Sequence, residues 1–353
     1  MKGKINPYTL VFGKTPSQFI SRYSQAAEVI EQFNSPSPSQ QVYMITGVRG
    51  SGKTVFMTDT AKAITAEKNW INIELNPEKD LLEGLIAKLS SEESVSKLIT
   101  SARINLSFFG LGLSIEGTTP VRDIETALTR VFEALKKHGK RVLISIDEVT
   151  NTKDIQVFAS AFQIFVRQDL PVFLLMTGLY ENIYELQNEK SLTFLYRAPK
   201  IDLRPLNINR IAANYENTLA IDPDLALKLA KLTKGYSFAF QVLGYFAWKN
   251  NTDINSLIND YRQYLEDFVY EKIWNELSAN DKRLAYGIAN TPGGKIIDIR
   301  ETLGIDTNSF NPYRRRLMRK GLVEGERGYL HFTLPLFEDY VNSVYESSIS
   351  PAP

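Results

Sequence analysis

The chain has 353 residues, room for two or three domains of ordinary size. Its composition, 43% hydrophobic, 23% charged and 11% aromatic, excludes a disordered chain, a collagen and a simple coiled coil. With 41 basic against 40 acidic side chains the net charge is +1, so binding to nucleic acid or membrane would need a local patch; with no cysteine and only His138 and His331, disulfide scaffolds, thiol nucleophiles, Cys-based zinc sites and multi-histidine metal centres are excluded too.

In chain order, Phe19 to Phe33 reads as a helix, and the SPSPSQ stretch after it as a loop. Val42 to Thr46 is a short apolar run that suits a buried strand. GVRGSGKT follows at 47–54, and then a helix over Val55–Lys68, a strand over Trp70–Leu75 and a helix over Asp80–Leu89. Alternation around Gly110 and Gly112 predicts a β-hairpin within 102–116, packed on the core or facing a partner. Ile124, Leu128, Val131, Phe132 and Leu135 recur at helical spacing, and Gly139 stops that helix. Arg141–Ile146 is a strand leading into Asp147-Glu148, 153–167 a helix, and Pro171–Met176 a strand leading into Thr177-Gly178. A short strand is expected near Ile201–Leu203.

Strands alternating with helices imply an α/β fold with a parallel sheet covered on both faces. After Pro205 the strand signals vanish and 207–276 reads as helical. Ser278–Ala289, Asp298–Leu303 and Ser309–Lys320 are three short helices, followed by a hairpin of Leu322–Glu324 and Tyr329–Thr333. That is the outline of a winged helix. The expected division is a P-loop core over 1–205, a helical lid over 206–265 and a winged-helix domain over 266–353. No run of about 18 apolar residues spans a membrane, and the N-terminus lacks a secretory apolar stretch, so a soluble cytoplasmic protein with no membrane contact is expected.

Gly47-Val48-Arg49-Gly50-Ser51-Gly52-Lys53-Thr54 matches G-x-x-x-x-G-K-[ST] in full, after a strand and before a helix. Glycines let successive N–H groups curve around a phosphate, and the helix start adds its own unsatisfied amides. Lys53 is expected to reach the β- and γ-phosphates and the Thr54 hydroxyl to hold Mg²⁺. Asp147, at the end of its strand, is the expected metal-side carboxylate, and Glu148 the base that polarises water. Thr177 ends the next strand, at the edge where ligands bind; its hydroxyl either positions the water and γ-phosphate or caps the next turn.

GVRGSGKT, LISIDE and LLMTG followed by a helical lid resemble an AAA+ ATPase, in its archaeal-type, initiator-like and STAND-related branch with a C-terminal winged helix. The opening NPYTLVFG…ISR, carrying Arg22, is similar to that branch's lead-in near the adenine. The resemblance implies that Gly47, Gly52, Lys53 and Thr54 grip the phosphates of ATP, that Asp147 and Glu148 form the second motif, and that Thr177 is the first sensor. Arg197 stands where the family often places an arginine that reaches a neighbouring subunit's γ-phosphate; a surface arginine is the other reading. Near Gly235-Tyr236-Ser237-Phe238 neither second-sensor form is present: no arginine follows the glycine, and Ser237 stands where Gly-x-Pro has its proline.

Arg314, Arg315, Arg316, Arg319 and Lys320 fall on the third helix of the winged unit, the recognition helix in DNA-binding relatives. They could meet the phosphates and guanine edges of duplex DNA, or serve the helix dipole alone. Over 261–345 twelve basic side chains balance twelve acidic ones, so the unit is neutral as a whole. The expected function is Mg²⁺-dependent ATP hydrolysis driving a switch coupled to the winged helix, which binds DNA or protein, with self-assembly also open. The alternative is a nucleotide-binding regulator with little hydrolysis whose winged helix makes protein contacts only.

Overall fold

A computed structural model describes residues 5–11, 16–111, 115–250 and 254–349. The chain forms two compact units. Arg22–Thr46 and Lys53–Asp202 make one; the described residues of 1–21, 47–52 and 203–353 make the other.

The first unit is built on a parallel five-stranded sheet. Its elements are α1 (Tyr23–Asn34), β1 (Val42–Thr46), α2 (Lys53–Thr65), β2 (Trp70–Leu75), α3 (Leu81–Ser91), α4 (Glu93–Ser101), α5 (Ile124–Lys137), β3 (Arg141–Ile146), α6 (Lys153–Arg167), β4 (Val172–Gly178), α7 (Tyr180–Gln187), α8 (Thr193–Tyr196) and β5 (Lys200–Asp202). The strand order is β2-β3-β4-β1-β5. Every residue of β1 and β4 is buried, as expected of central strands covered on both faces. The register pairs Ile45 with Thr177 and Thr46 with Gly178, and Ile146 with Met176. The carboxyl ends of β1, β3 and β4 therefore lie side by side along one edge. Side-chain caps start the helices: Asp80 accepts from Glu83 N at 2.8 Å, and Asp123 from Thr126 N at 2.7 Å.

Two local expectations are corrected. Helix α1 begins at Tyr23, four residues later than the apolar pattern suggested. Within 102–116 the described residues form no strand; Ser107–Phe109 is a single 3₁₀ turn, and 112–114 lie outside the described residues. The reason is Asn105, a buried amide. Its Nδ2 donates to the Thr118 carbonyl at 3.1 Å and the Thr118 hydroxyl at 3.2 Å, so the side chain takes over bonding that a strand ladder would have used. Ile104 and Leu106 are buried in the core of the same unit.

The second unit carries α9 (Ile208–Leu219), α10 (Pro223–Leu232), α11 (Ser237–Asn250), α12 (Ile254–Leu265), a π turn (Glu266–Tyr270), α13 (Glu271–Asn275), α14 (Ala279–Ala289), α15 (Ile296–Leu303), α16 (Thr307–Arg319), a hairpin of β6 (Val323–Glu326) and β7 (Tyr329–Phe332), and α17 (Phe337–Ile349). One continuous apolar core runs from Tyr8 and Tyr215 through Leu257 and Tyr270 to Phe310, Leu330 and Val341. The helices after Leu203 and the C-terminal hairpin thus share one interior. The N-terminal strand of chain is sewn to it. Tyr8 packs edge-on against Tyr215 and Phe240, and its hydroxyl donates to Asn214 Oδ1 at 2.8 Å. The Tyr8 ring lies so close to α11 that a β-carbon at Gly244 would stand 2.6 Å from it. The β6–β7 turn uses Arg327 at φ +47° and Gly328 at φ +91°, left-handed at both central positions as a tight hairpin requires.

Candidate functional site

The phosphate-loop motif runs from β1 into α2. Gly50 and Gly52 adopt φ +73° and +90°, conformations that other residues reach only with strain. Lys53 opens α2 and is 8% exposed, while Thr54 is half-buried. The division between the two units falls inside this motif, between Gly52 and Lys53. Within the second unit the loop's outward carbonyls are held by the start of α11. Tyr236 Oη donates to Arg49 O at 2.6 Å, Phe238 N to Gly50 O at 3.1 Å, and Ser237 Oγ to Ser51 O at 2.9 Å. Arg49 also forms an ion pair with Glu276 at 3.3 Å. Tyr236 is buried, and burial pushes its hydroxyl far above the ordinary range; it stays a neutral donor.

Within the first unit the two other motifs converge on Asp147. Its Oδ2 accepts from Thr54 Oγ1 at 2.7 Å, and its Oδ1 accepts from Thr177 Oγ1. Thr177 has no exposed surface, and its hydroxyl also accepts from Glu148 N at 3.1 Å, while its carbonyl accepts from Val149 N at 2.8 Å. Glu148 sits at φ +56°, a left-handed conformation costing an ordinary side chain about 1–2 kcal/mol. The bonds to Thr177 on either side of it hold that turn, and the Glu148 side chain is exposed. An orienting hydroxyl, a gripped carboxylate and a strained, exposed carboxylate at a strand end make an arrangement suited to phosphate chemistry.

Further along the same edge, Arg22 lies with Tyr180 and Asp202. Burial lowers the Arg22 guanidinium to about 10, partly opposed by Tyr180; burial, and then Asp202, raise the Tyr180 hydroxyl. In the second unit the lead-in residues Gln18–Ser21 and α9 (Arg210, Asn214, Asn217) line an open groove of about 630 Å³. Arg197 is exposed, at the end of α8.

The basic residues of α16 separate by environment. Arg316 is already used: its Nε pairs with Asp281 Oδ1 at 2.7 Å, its Nη2 donates to Ser278 Oγ at 2.6 Å, and its guanidinium lies 5.1 Å from the Tyr313 ring. Arg314 is half-buried, with Nη2 3.2 Å from where a β-carbon on Gly325 would sit. Arg315 and Arg319 are exposed and Lys320 is partly so.

Sequence reasoning brought Lys53, Thr54, Asp147, Glu148 and Thr177 forward from their motifs. It did not find Tyr236 and Phe238 as partners of the loop, nor the Asp281–Arg316 pair. The signal for the first was the vacant second-sensor position itself, an aromatic and a hydroxyl where an arginine or proline was due. For the second it was Ser278-x-x-Asp281, a capping box whose acid is almost fully buried and so requires a partner.

A parallel sheet with β1 between β4 and β5, a glycine loop leading into a helix, and an acid beyond β3 hydrogen-bonded to the loop's threonine define a P-loop nucleoside triphosphatase core. Residues 28–173 match the family described as an ATPase domain predominantly from Archaea, and residues 267–341 match a domain of unknown function. Residues 28–173 thus carry an ATPase domain of the archaeal kind on a P-loop fold. Among solved structures the chain is similar to a Walker-type ATPase of Pyrococcus abyssi, with a TM-score of 0.65 at 14% identity over 92% of this chain and 96% of that one. It is also similar to the ORC2 protein of Aeropyrum pernix in its ADPNP–ADP complexes, with a TM-score of 0.58 at 13% identity over 98% and 96%. These likenesses are of fold. No curated protein matches the sequence. Among the described residues no helix is long and apolar enough to cross a membrane.

Proposed function

We propose that the protein hydrolyses the β–γ bond of ATP and passes the nucleotide's state to a C-terminal winged helix that binds duplex DNA. The observation that carries the first half is the Thr54–Asp147–Thr177 cluster beside Glu148 at the carboxyl edge of the sheet. Main-chain amides of Val48–Gly52 cradle the phosphates, and Lys53 neutralises the β- and γ-oxygens. Thr54 and Asp147 present hard oxygen donors of the kind Mg²⁺ takes. Among the described residues no cluster of three or more His, Cys, Asp or Glu offers a protein cage, which fits an ion that draws its other ligands from phosphate and water. When bound, that ion offsets charge on the phosphate oxygens. Glu148 accepts a proton from water as the water oxygen attacks the γ-phosphorus; the bond to the bridging oxygen breaks, leaving ADP and phosphate. Thr177 orients both acids rather than spending its hydroxyl on the nucleotide. Arg197 remains a candidate to complete a neighbour's site in an assembly.

For the second half, α14–α16 and the β6–β7 hairpin supply the winged-helix outline, and α16 exposes Arg315 and Arg319 beside the half-exposed Asn311. We assign DNA phosphate contacts to Arg315, Arg319 and Lys320, and give Arg314 and Arg316 to the fold. Turnover of labelled ATP that disappears in Glu148→Gln, with nucleotide still bound, is the expected result. Tight binding without turnover in the unaltered protein would favour a non-hydrolysing regulator. Fluorescence anisotropy with duplex DNA at two salt concentrations tests the output; no binding at low salt would leave protein contacts as the winged helix's role.

A further inference from the structure

The second-sensor position is chemically different here from the two forms its branch uses, and the structure gives it other work. Three consecutive loop carbonyls, those of Arg49, Gly50 and Ser51, accept hydrogen bonds from Tyr236 Oη, Phe238 N and Ser237 Oγ. In a trans peptide the C=O of one residue and the N–H of the next point in opposite directions. Fixing those three carbonyls toward α11 therefore fixes the N–H groups of Gly50, Ser51 and Gly52 toward the other side, the concave side of the loop. Ser51 N closes onto Val48 O across the turn at 3.2 Å, so the cradle is carried by the Gly50 and Gly52 amides. The hold is built in: Tyr236 is 5% exposed, and a β-carbon at Gly50 would stand 2.2 Å from its oxygen.

We propose that Tyr236 and Ser237 are positioning residues that pre-orient the phosphate-loop amides from behind, in place of a side chain that touches the γ-phosphate. A cradle whose amides already face inward pays less ordering cost when phosphate arrives, so its effect falls on affinity for any nucleotide bearing a β-phosphate, ADP as well as ATP. A γ-phosphate sensor would instead separate ATP from ADP. This inference rests on the nucleotide-binding reading above.

The test is calorimetric titration of ADP and of MgATP into the full chain and into Tyr236→Phe, Ser237→Ala and Ser237→Thr, with the melting temperature of each nucleotide-free protein measured alongside. Losing one hydrogen bond behind the loop should weaken both nucleotides about three- to ten-fold in Tyr236→Phe and in Ser237→Ala. Ser237→Thr, which keeps the hydroxyl, should restore most of the affinity. Variants that bind as tightly as the unaltered chain, or that melt earlier with affinity unchanged, overturn the proposal. So does a loss confined to ATP. If Tyr236→Phe fails to fold, the Ala and Thr variants at 237 decide by themselves. If the unaltered chain binds neither nucleotide, the proposed function fails, and the positioning role with it.

Discussion

Replacing Thr177 by valine keeps the shape of the side chain and removes only its hydroxyl. Two bonds go with it: the one donated to Asp147 and the one accepted from Glu148 N. A hydrogen bond to a charged group contributes about 1.5–3 kcal/mol and a neutral one about 0.5–1.5 kcal/mol. Asp147 is half-exposed, so water recovers part of the first. The expected loss is roughly 2 kcal/mol. For a unit of this size that lowers the melting temperature by roughly 4–8 °C. Thr177→Ser should lose less, because it keeps both bonds and gives up one methyl group. Scanning calorimetry of the nucleotide-free protein reads both. Activity should suffer more than binding, since the left-handed turn at Glu148 loses an anchor while the phosphate loop is untouched. A valine variant that melts within about 1 °C of the parent, with the serine variant melting lower, would refute the keystone role given to this hydroxyl.

Lys53→Ala should abolish the heat of MgATP binding in calorimetry, because its charge is needed at the phosphates. Arg316→Ala should destabilise the helical unit by about 1–2 kcal/mol, since it leaves the 2% exposed Asp281 carboxylate with Ser278 alone; Arg315→Ala should leave the melting temperature unchanged and weaken DNA binding in the anisotropy assay. Asp123 and Asp306 cap α5 and α16, and bonds from Thr126 and Ser309 hold their acids below the ordinary 3.8. Lowered carboxylates contribute stability above that value and lose it as they take up protons below it. Melting temperature should therefore fall below pH 3.8, with a shallower slope in Asp123→Asn.

The sheet was legible because its strands are alternating or continuous apolar runs: β2, which alternates, and β3, which is continuous, begin and end where the pattern placed them. The phosphate loop and Asp147 were legible because their chemistry fixes residue types at set spacings. Asn105 was not: an amide that captures carbonyls up to thirteen residues away looks the same in sequence as one facing water. The same holds on α16. Arg315 and Arg316 are adjacent and identical in type, and only Asp281, 35 residues upstream, makes one structural. The partners of the loop carbonyls are about 187 residues distant, beyond what local periodicity reports.

One residue of the glycine loop reaches in two directions. The Arg49 carbonyl faces Tyr236 and its guanidinium faces Glu276. Two positions after Glu276 comes Ser278, the cap of α14, whose hydroxyl and whose partner Asp281 both engage Arg316 of the basic helix. A tilt of the loop peptide at Arg49 would thus have a short mechanical linkage to the helix that carries Arg315 and Arg319. Two arginines, two acids and one helix cap thus join the glycine loop to the basic helix without any intervening stretch of loose chain.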